Sequence, residues 1–257
     1  MSGDVLAAVR DGVLRVTLNR PEKRNPLSRA VLAQLRDVFA AHRDQALSLA
    51  VLTGAGEQSF AAGGDLRDLE QVRTPDEARA LHDLGNGALQ AIRDFPVPVV
   101  AALNGVALGG GAELAVACDL RISAAHARIG FVQGTLHIPT AWGGGSDLVA
   151  LVGPARGLEL LGSARVLAAA PALAAGLVEA VAPEGEPFGA FVERYIAPLA
   201  QQRPQVMRAF KWQAAACKLG LPRAQVDARD RELFAEAWCH DEHWQAARTV
   251  LHRETSR

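Results

Sequence analysis

The chain has 257 residues, with 27 Lys and Arg against 28 Asp and Glu and a formal net charge of −1. That length holds one large domain or two small ones around a substantial core, and the charge balance gives no general reason to expect nucleic acid or an anionic membrane as partner. Three widely spaced cysteines, Cys118, Cys217 and Cys239, read as free thiols of a reducing compartment. Residues 1–4 show no secretory pattern and no apolar run reaches the ~20 residues of a membrane span, so the expectation is a soluble, cytoplasmic protein.

In chain order, residues 5–9 and 13–18 flank Asp11-Gly12 and predict a β-hairpin. Ser28 is placed to cap a helix running to about residue 42, with Val31, Leu32, Leu35, Val38 and Phe39 at helical spacing. Residues 47–52 predict a buried strand. The stretch that follows, Ser59-Phe60-Ala61-Ala62-Gly63-Gly64-Asp65-Leu66, is a glycine loop of small residues that leaves backbone N–H groups uncovered. Residues 75–95 predict a helix stopped before Pro96. Then come a strand over 98–103, a short helix over 111–117 and a strand over 120–123. From about residue 191 helical patterns dominate, punctuated by Pro198, Pro204 and Pro222, and the aromatic residues Trp212, Phe234, Trp238 and Trp244 gather there. The expected division is therefore 1–190 and 191–257.

The most informative stretch is residues 102–120, where Gly109, Gly110 and Gly111 stand between an apolar run and the short helix. A helix starting there aims free N–H groups and a positive dipole end at whatever lies in front of it, which suits an anion or a transient oxyanion. Glu113 lies one turn in. An anion hole beside a carboxylate suits chemistry on an acyl group.

The two glycine loops, together with Asn19-Arg20-Pro21-Glu22-Lys23-Arg24-Asn25-Pro26-Leu27-Ser28, Leu52-Thr53-Gly54-Ala55-Gly56, the run from Ile138-Pro139 to Gly143-Gly144, and Ala174-Ala175-Gly176-Leu177-Val178 with Val181, resemble the crotonase (enoyl-CoA hydratase/isomerase) superfamily over nearly the whole chain. The resemblance implies an α/β fold, a spiral of strand–strand–helix repeats, with C-terminal helices that cover the site and build a homotrimer, often paired into a hexamer. It implies an acyl-CoA thioester as substrate, with coenzyme A entering as part of the substrate and no tightly bound cofactor or metal. The implied donors to the thioester oxygen are the backbone N–H groups of Gly64 and Gly110. Glu113 matches a catalytic glutamate. The coenzyme end is matched by Arg24, the backbone around Ala62, Asp65 and Leu66, and Lys211, the last as a phosphate contact for this or a neighbouring subunit.

One departure from the pattern carries weight. The second glutamate of hydratases falls at Gln133, or at Thr135 in another register, and no Asp or Glu occurs between Asp119 and Asp147. A glutamine orients a water or a carbonyl but does not exchange a proton as a carboxylate does. Hydration or isomerisation with Glu113 alone, decarboxylation of a malonyl-type thioester in a pocket walled by Trp142, and a weakly catalytic CoA-ester-binding oligomer all stay open. A serine-protease reading lacks a nucleophile, since Ala112-Glu113 follows the triplet.

Overall fold

The computed structural model describes residues 3–254; residues 1, 2 and 255–257, on which the leader and tail readings partly fall, lie outside the described residues. The hairpin is β1 (Val5–Arg10) and β2 (Val13–Leu18), paired antiparallel around Asp11 and Gly12, both at positive φ. Ser28 caps α1 (Arg29–Ala41), its hydroxyl accepting from the Val31 N–H, and the apolar stripe of Val31, Leu32, Leu35 and Phe39 is buried. β3 (Leu49–Gly54) follows, then β4 (Ser59–Ala61), the single turn α2 (Leu66–Leu69) and α3 (Pro75–Arg93), which begins with a capping box between Thr74 and Glu77.

The chain then repeats one unit. β5 (Val99–Leu103), β6 (Val106–Leu108) and α4 (Gly110–Ala117) make one turn of it; β7 (Leu120–Ser123), β8 (Arg128–Gly130) and α5 (Gly144–Val152) make the next. α6 (Pro154–Ser163), β9 (Val166–Ala168), α7 (Ala169–Ala174) and β10 (Ala180–Val181) close the core. The first strand of each turn joins a six-stranded sheet in the order β1-β2-β3-β5-β7-β10, parallel apart from β1. The second strand joins a four-stranded sheet in the order β4-β6-β8-β9, in which β4, β6 and β8 run parallel. This is the spiral of strand–strand–helix repeats expected from the sequence.

The main core lies between the sheets and α1, α3 and α4, and a smaller cluster packs Phe191, Val192 and Ile196 against the outer face of the large sheet. The tail is α8 (Phe188–Ala200), α9 (Pro204–Lys218), α10 (Arg223–Trp238) and α11 (Asp241–Glu254). Among the described residues no helix is long and apolar enough to cross a membrane.

Candidate active site

Three successive turns of the spiral end their short strands side by side. β4 leads into Gly63-Gly64, β6 into the glycine triplet and β8 into Val132-Gln133. The crevice beyond the C-terminal ends of parallel strands is where open α/β sheets place ligands. The two glycine loops touch. A Cβ built on Gly63 would stand 3.7 Å from the Gly110 nitrogen, and one built on Gly111 would stand 2.1 Å from the Ala61 carbonyl oxygen. Gly109 reaches this junction at φ 53°, ψ −119°, a conformation open to glycine. Gly110 is the first residue of α4, so its N–H has no partner within the helix. Among the hydrogen bonds of the described residues, neither the Gly110 N–H nor the Gly64 N–H has an acceptor. The two expected donors thus stand free on adjoining loops.

The N-terminal signature is zipped onto the first loop. The N–H groups of Ala62, Leu27 and Asp65 donate to the carbonyls of Arg24, Gly63 and Leu27 in turn, at 3.1, 2.8 and 3.1 Å. Arg20 pairs with Asp65 at 3.0 Å, while the Arg24 side chain and Leu66 are exposed. Arg24, Ala62, Asp65 and Leu66 therefore lie along one edge of the crevice.

Glu113 is 1 % exposed and accepts four hydrogen bonds. Its Oε1 accepts from Gln133 Nε2 at 2.8 Å and the Ala141 N–H at 3.2 Å; its Oε2 accepts from the N–H groups of Trp142 at 2.9 Å and Gly144 at 3.0 Å. A carboxylate has about four lone-pair positions, and all are taken. Gln133, 7 % exposed, spends its amide on Glu113 and leaves Oε1 buried without a partner. The amide cannot be reversed, because two acceptor oxygens would then face each other. Thr135 is exposed, and its hydroxyl donates to the Val132 carbonyl at 2.7 Å. The position facing Glu113 is therefore Gln133, and the other register falls away.

Trp142, 4 % exposed, packs against α3 and the start of α4. A Cβ on Gly85 of α3 would stand 2.2 Å from its Cδ1 and Nε1, and one on Gly110 would stand 2.2 Å from its Cζ3. The backbone of Trp142 is held from both sides. Its N–H serves Glu113, and its carbonyl accepts from Arg93 at 2.9 Å. Arg93 in turn pairs with Asp147 of α5 at 2.8 Å, and the other oxygen of Asp147 meets Lys218 of α9 at 2.6 Å. Gly85, Arg93 and Asp147 were not singled out from the sequence. The signal available for the first was a glycine inside a helical pattern, which marks close packing.

Lys211, expected as a phosphate contact, is 6 % exposed within this chain and pairs with Asp119 at 2.5 and 2.6 Å. Removing one partner of a buried pair costs about 3–5 kcal/mol. Lys211→Met is expected to lower stability by that order in a denaturant titration while leaving CoA-ester affinity within about twofold; a loss of affinity in a folded variant would restore the phosphate role. His82 and His137, the histidines nearest these motifs, are exposed. Cys118 supplies no nucleophile: burial pushes its thiol up to about 12.

The chain matches the enoyl-CoA hydratase/isomerase family over residues 8–251. The chain belongs to that family. It is 40 % identical over 165 residues to a crotonyl-CoA hydratase of Syntrophomonas wolfei, covering 64 % of this chain and 63 % of that one, so the match spans under two thirds of the hydratase. It is 28 % identical over 229 residues to an ethylmalonyl-CoA decarboxylase of Bos taurus, covering 88 % and 74 %. Among solved structures, an enoyl-CoA hydratase of Bacillus anthracis superposes with a TM-score of 0.90 at 27 % identity, covering 98 % of this chain and 97 % of that one. The family thus agrees with the resemblance read from the motifs, and acyl-CoA processing is its common ground.

Proposed function

We propose that this family member removes CO2 from a malonyl-type acyl-CoA thioester, with the free N–H groups of Gly64 and Gly110 as the oxyanion hole. The observation that carries the reading is the saturation of Glu113. Proton abstraction needs a basic lone pair within reach of the substrate; Glu113 has four donors on its carboxylate and Gln133 is a neutral amide. Decarboxylation needs no base to start. The C–C bond to the carboxylate breaks, its electron pair moves into the thioester as an enolate, and CO2 departs. The α-carbon then takes one proton from water. Each N–H on the enolate oxygen contributes about 3–4 kcal/mol to that step. Glu113 on this reading holds the 141–144 loop in place, and the acid–base role expected of it passes to solvent.

A second reading, hydration of a short enoyl thioester, is favoured by the 40 % identity to a crotonyl-CoA hydratase. Incubation with methylmalonyl-CoA, ethylmalonyl-CoA and crotonyl-CoA, followed by mass analysis, separates the two. Loss of CO2 from a malonyl-type ester with no water added to crotonyl-CoA is the expected result; vigorous crotonyl-CoA hydration overturns it. Gln133→Glu is expected to create hydration, because it sets a second carboxyl 2.8 Å from the first. Two acids that close share a proton, and one pKa rises. A Gln133→Glu enzyme with no gain in hydration would show that Glu113 cannot be recruited from its loop. The reading includes a homotrimer or hexamer, supported by the exposed apolar residues Phe234, Trp238 and Trp244 on α10 and α11.

A further inference from the structure

The position of Trp142 is over-determined. The indole is wedged between two helices at the points where each has a glycine, Gly85 and Gly110. Its Cη2 is 2.8 Å from a Cβ placed on Gly110 and 4.0 Å from one placed on Gly64, so a single ring atom lies against both loops that carry the free N–H donors. The backbone behind it is pinned by Glu113 on the amide and Arg93 on the carbonyl. Yet the indole Nε1, buried, has no hydrogen-bond partner. A buried N–H left unpaired is unfavourable. The fold tolerates that cost, which argues that the ring is kept for its volume and flat face.

We propose that Trp142 is the specificity-determining residue for acyl length, closing the crevice beyond the α-carbon so that only short acyl-CoA thioesters fit. The inference rests on the acyl-CoA reading above and is independent of which bond breaks. A thioester oxygen held by Gly64 and Gly110 sets the acyl carbons against the indole, and a chain extended towards α3 meets the ring where Gly85 receives it. One methylene more or less in an apolar pocket changes discrimination by roughly 10–200-fold.

The test is the affinity of the full chain for acetyl-, butyryl-, hexanoyl- and octanoyl-CoA by calorimetry, in wild type, Trp142→Ala and Trp142→Leu. The wild type is expected to bind acetyl- and butyryl-CoA and to bind octanoyl-CoA at least about tenfold more weakly. Both variants are expected to erase that preference by tightening octanoyl-CoA, with acetyl-CoA changed less than threefold. If truncation of the ring unfolds the chain, the pair Gly85→Ala with Trp142→Leu refills part of the space and is expected to show the same relaxed profile. A wild type that binds all four esters alike, or folded variants that keep the wild-type order, overturns the assignment of Trp142 alone. A wild type that binds none of the four overturns the acyl-CoA reading and this inference with it.

Discussion

Glu113→Gln is expected to destabilise the protein by on the order of 3 kcal/mol, lowering Tm by roughly 6–12 °C, and to abolish turnover through loss of site geometry. The substitution turns one acceptor oxygen into an NH2 donor. That donor would face either the amides of Trp142 and Gly144 or those of Gln133 and Ala141. Hydrogen bonds to a charged acceptor are worth about 1.5–3 kcal/mol each, and the buried donors left behind bear their desolvation cost unpaired. A pure acid–base residue behaves differently: its amide variant melts where the wild type does and loses only turnover. Calorimetric melts beside CoA-ester binding decide the matter. A Glu113→Gln protein with unchanged Tm, unchanged ester affinity and a 10²-fold or greater fall in turnover would make Glu113 the proton-transfer group and return the mechanism to hydration or isomerisation.

Gly111→Ala is expected to reduce turnover at least about 10²-fold, because a misplacement of 1 Å at a reacting centre has that order of effect. The added methyl would lie 2.1 Å from the Ala61 carbonyl oxygen, which is backbone and has no rotamer to escape into. Relief requires β4 and the start of α4 to move apart, and those carry Gly64 and Gly110. The stability cost of such overpacking is about 1–3 kcal/mol, small enough that the chain stays folded at room temperature. Steady-state kinetics with the best substrate, together with a melt, is the measurement. Retained turnover in a folded Gly111→Ala variant would show that the relative placement of the two loops does not set the rate, and the oxyanion-hole assignment would fall.

The sequence announced the large sheet well. Its first four strands, β1, β2, β3 and β5, are five to six residues of apolar or alternating character, and the strand expected over 120–123 is β7 as found. Helix α1 was legible from Ser28 and its apolar spacing, and α3 from the helical run beginning at Pro75 and the stop before Pro96. The small sheet was not legible. β4, β6 and β8 are three residues each, too short for alternation to register, and β4 lies inside what reads as a glycine loop. Yet that sheet aligns Gly64, Gly110 and Gln133, so the motifs were visible while the device that joins them was not.

The chemistry was half legible. The missing carboxylate between Asp119 and Asp147 is plain from composition, and it correctly draws attention to position 133. That Glu113 is saturated could not be read, because three of its four donors are backbone N–H groups of a loop about 30 residues away, and backbone donors leave no trace in residue type. Lys211 shows the opposite failure. The motif match reads Lys211 as a phosphate contact, and only the fold reveals Asp119 against it.

The ion chain from Lys218 through Asp147 to Arg93 ends on the Trp142 carbonyl. The C-terminal helices therefore reach the Trp142 loop through a relay of charge. This limits how freely such tails are exchanged between relatives during evolution or in chimaeras. A transplanted tail that packs well but lacks a cation at position 218 leaves Asp147 with a single partner, and Arg93 is then drawn more fully to the acid and less to the loop. The tail and residue 147 form one inheritable unit, and a chimaera that respects only the apolar seam will fold around a loosened tryptophan.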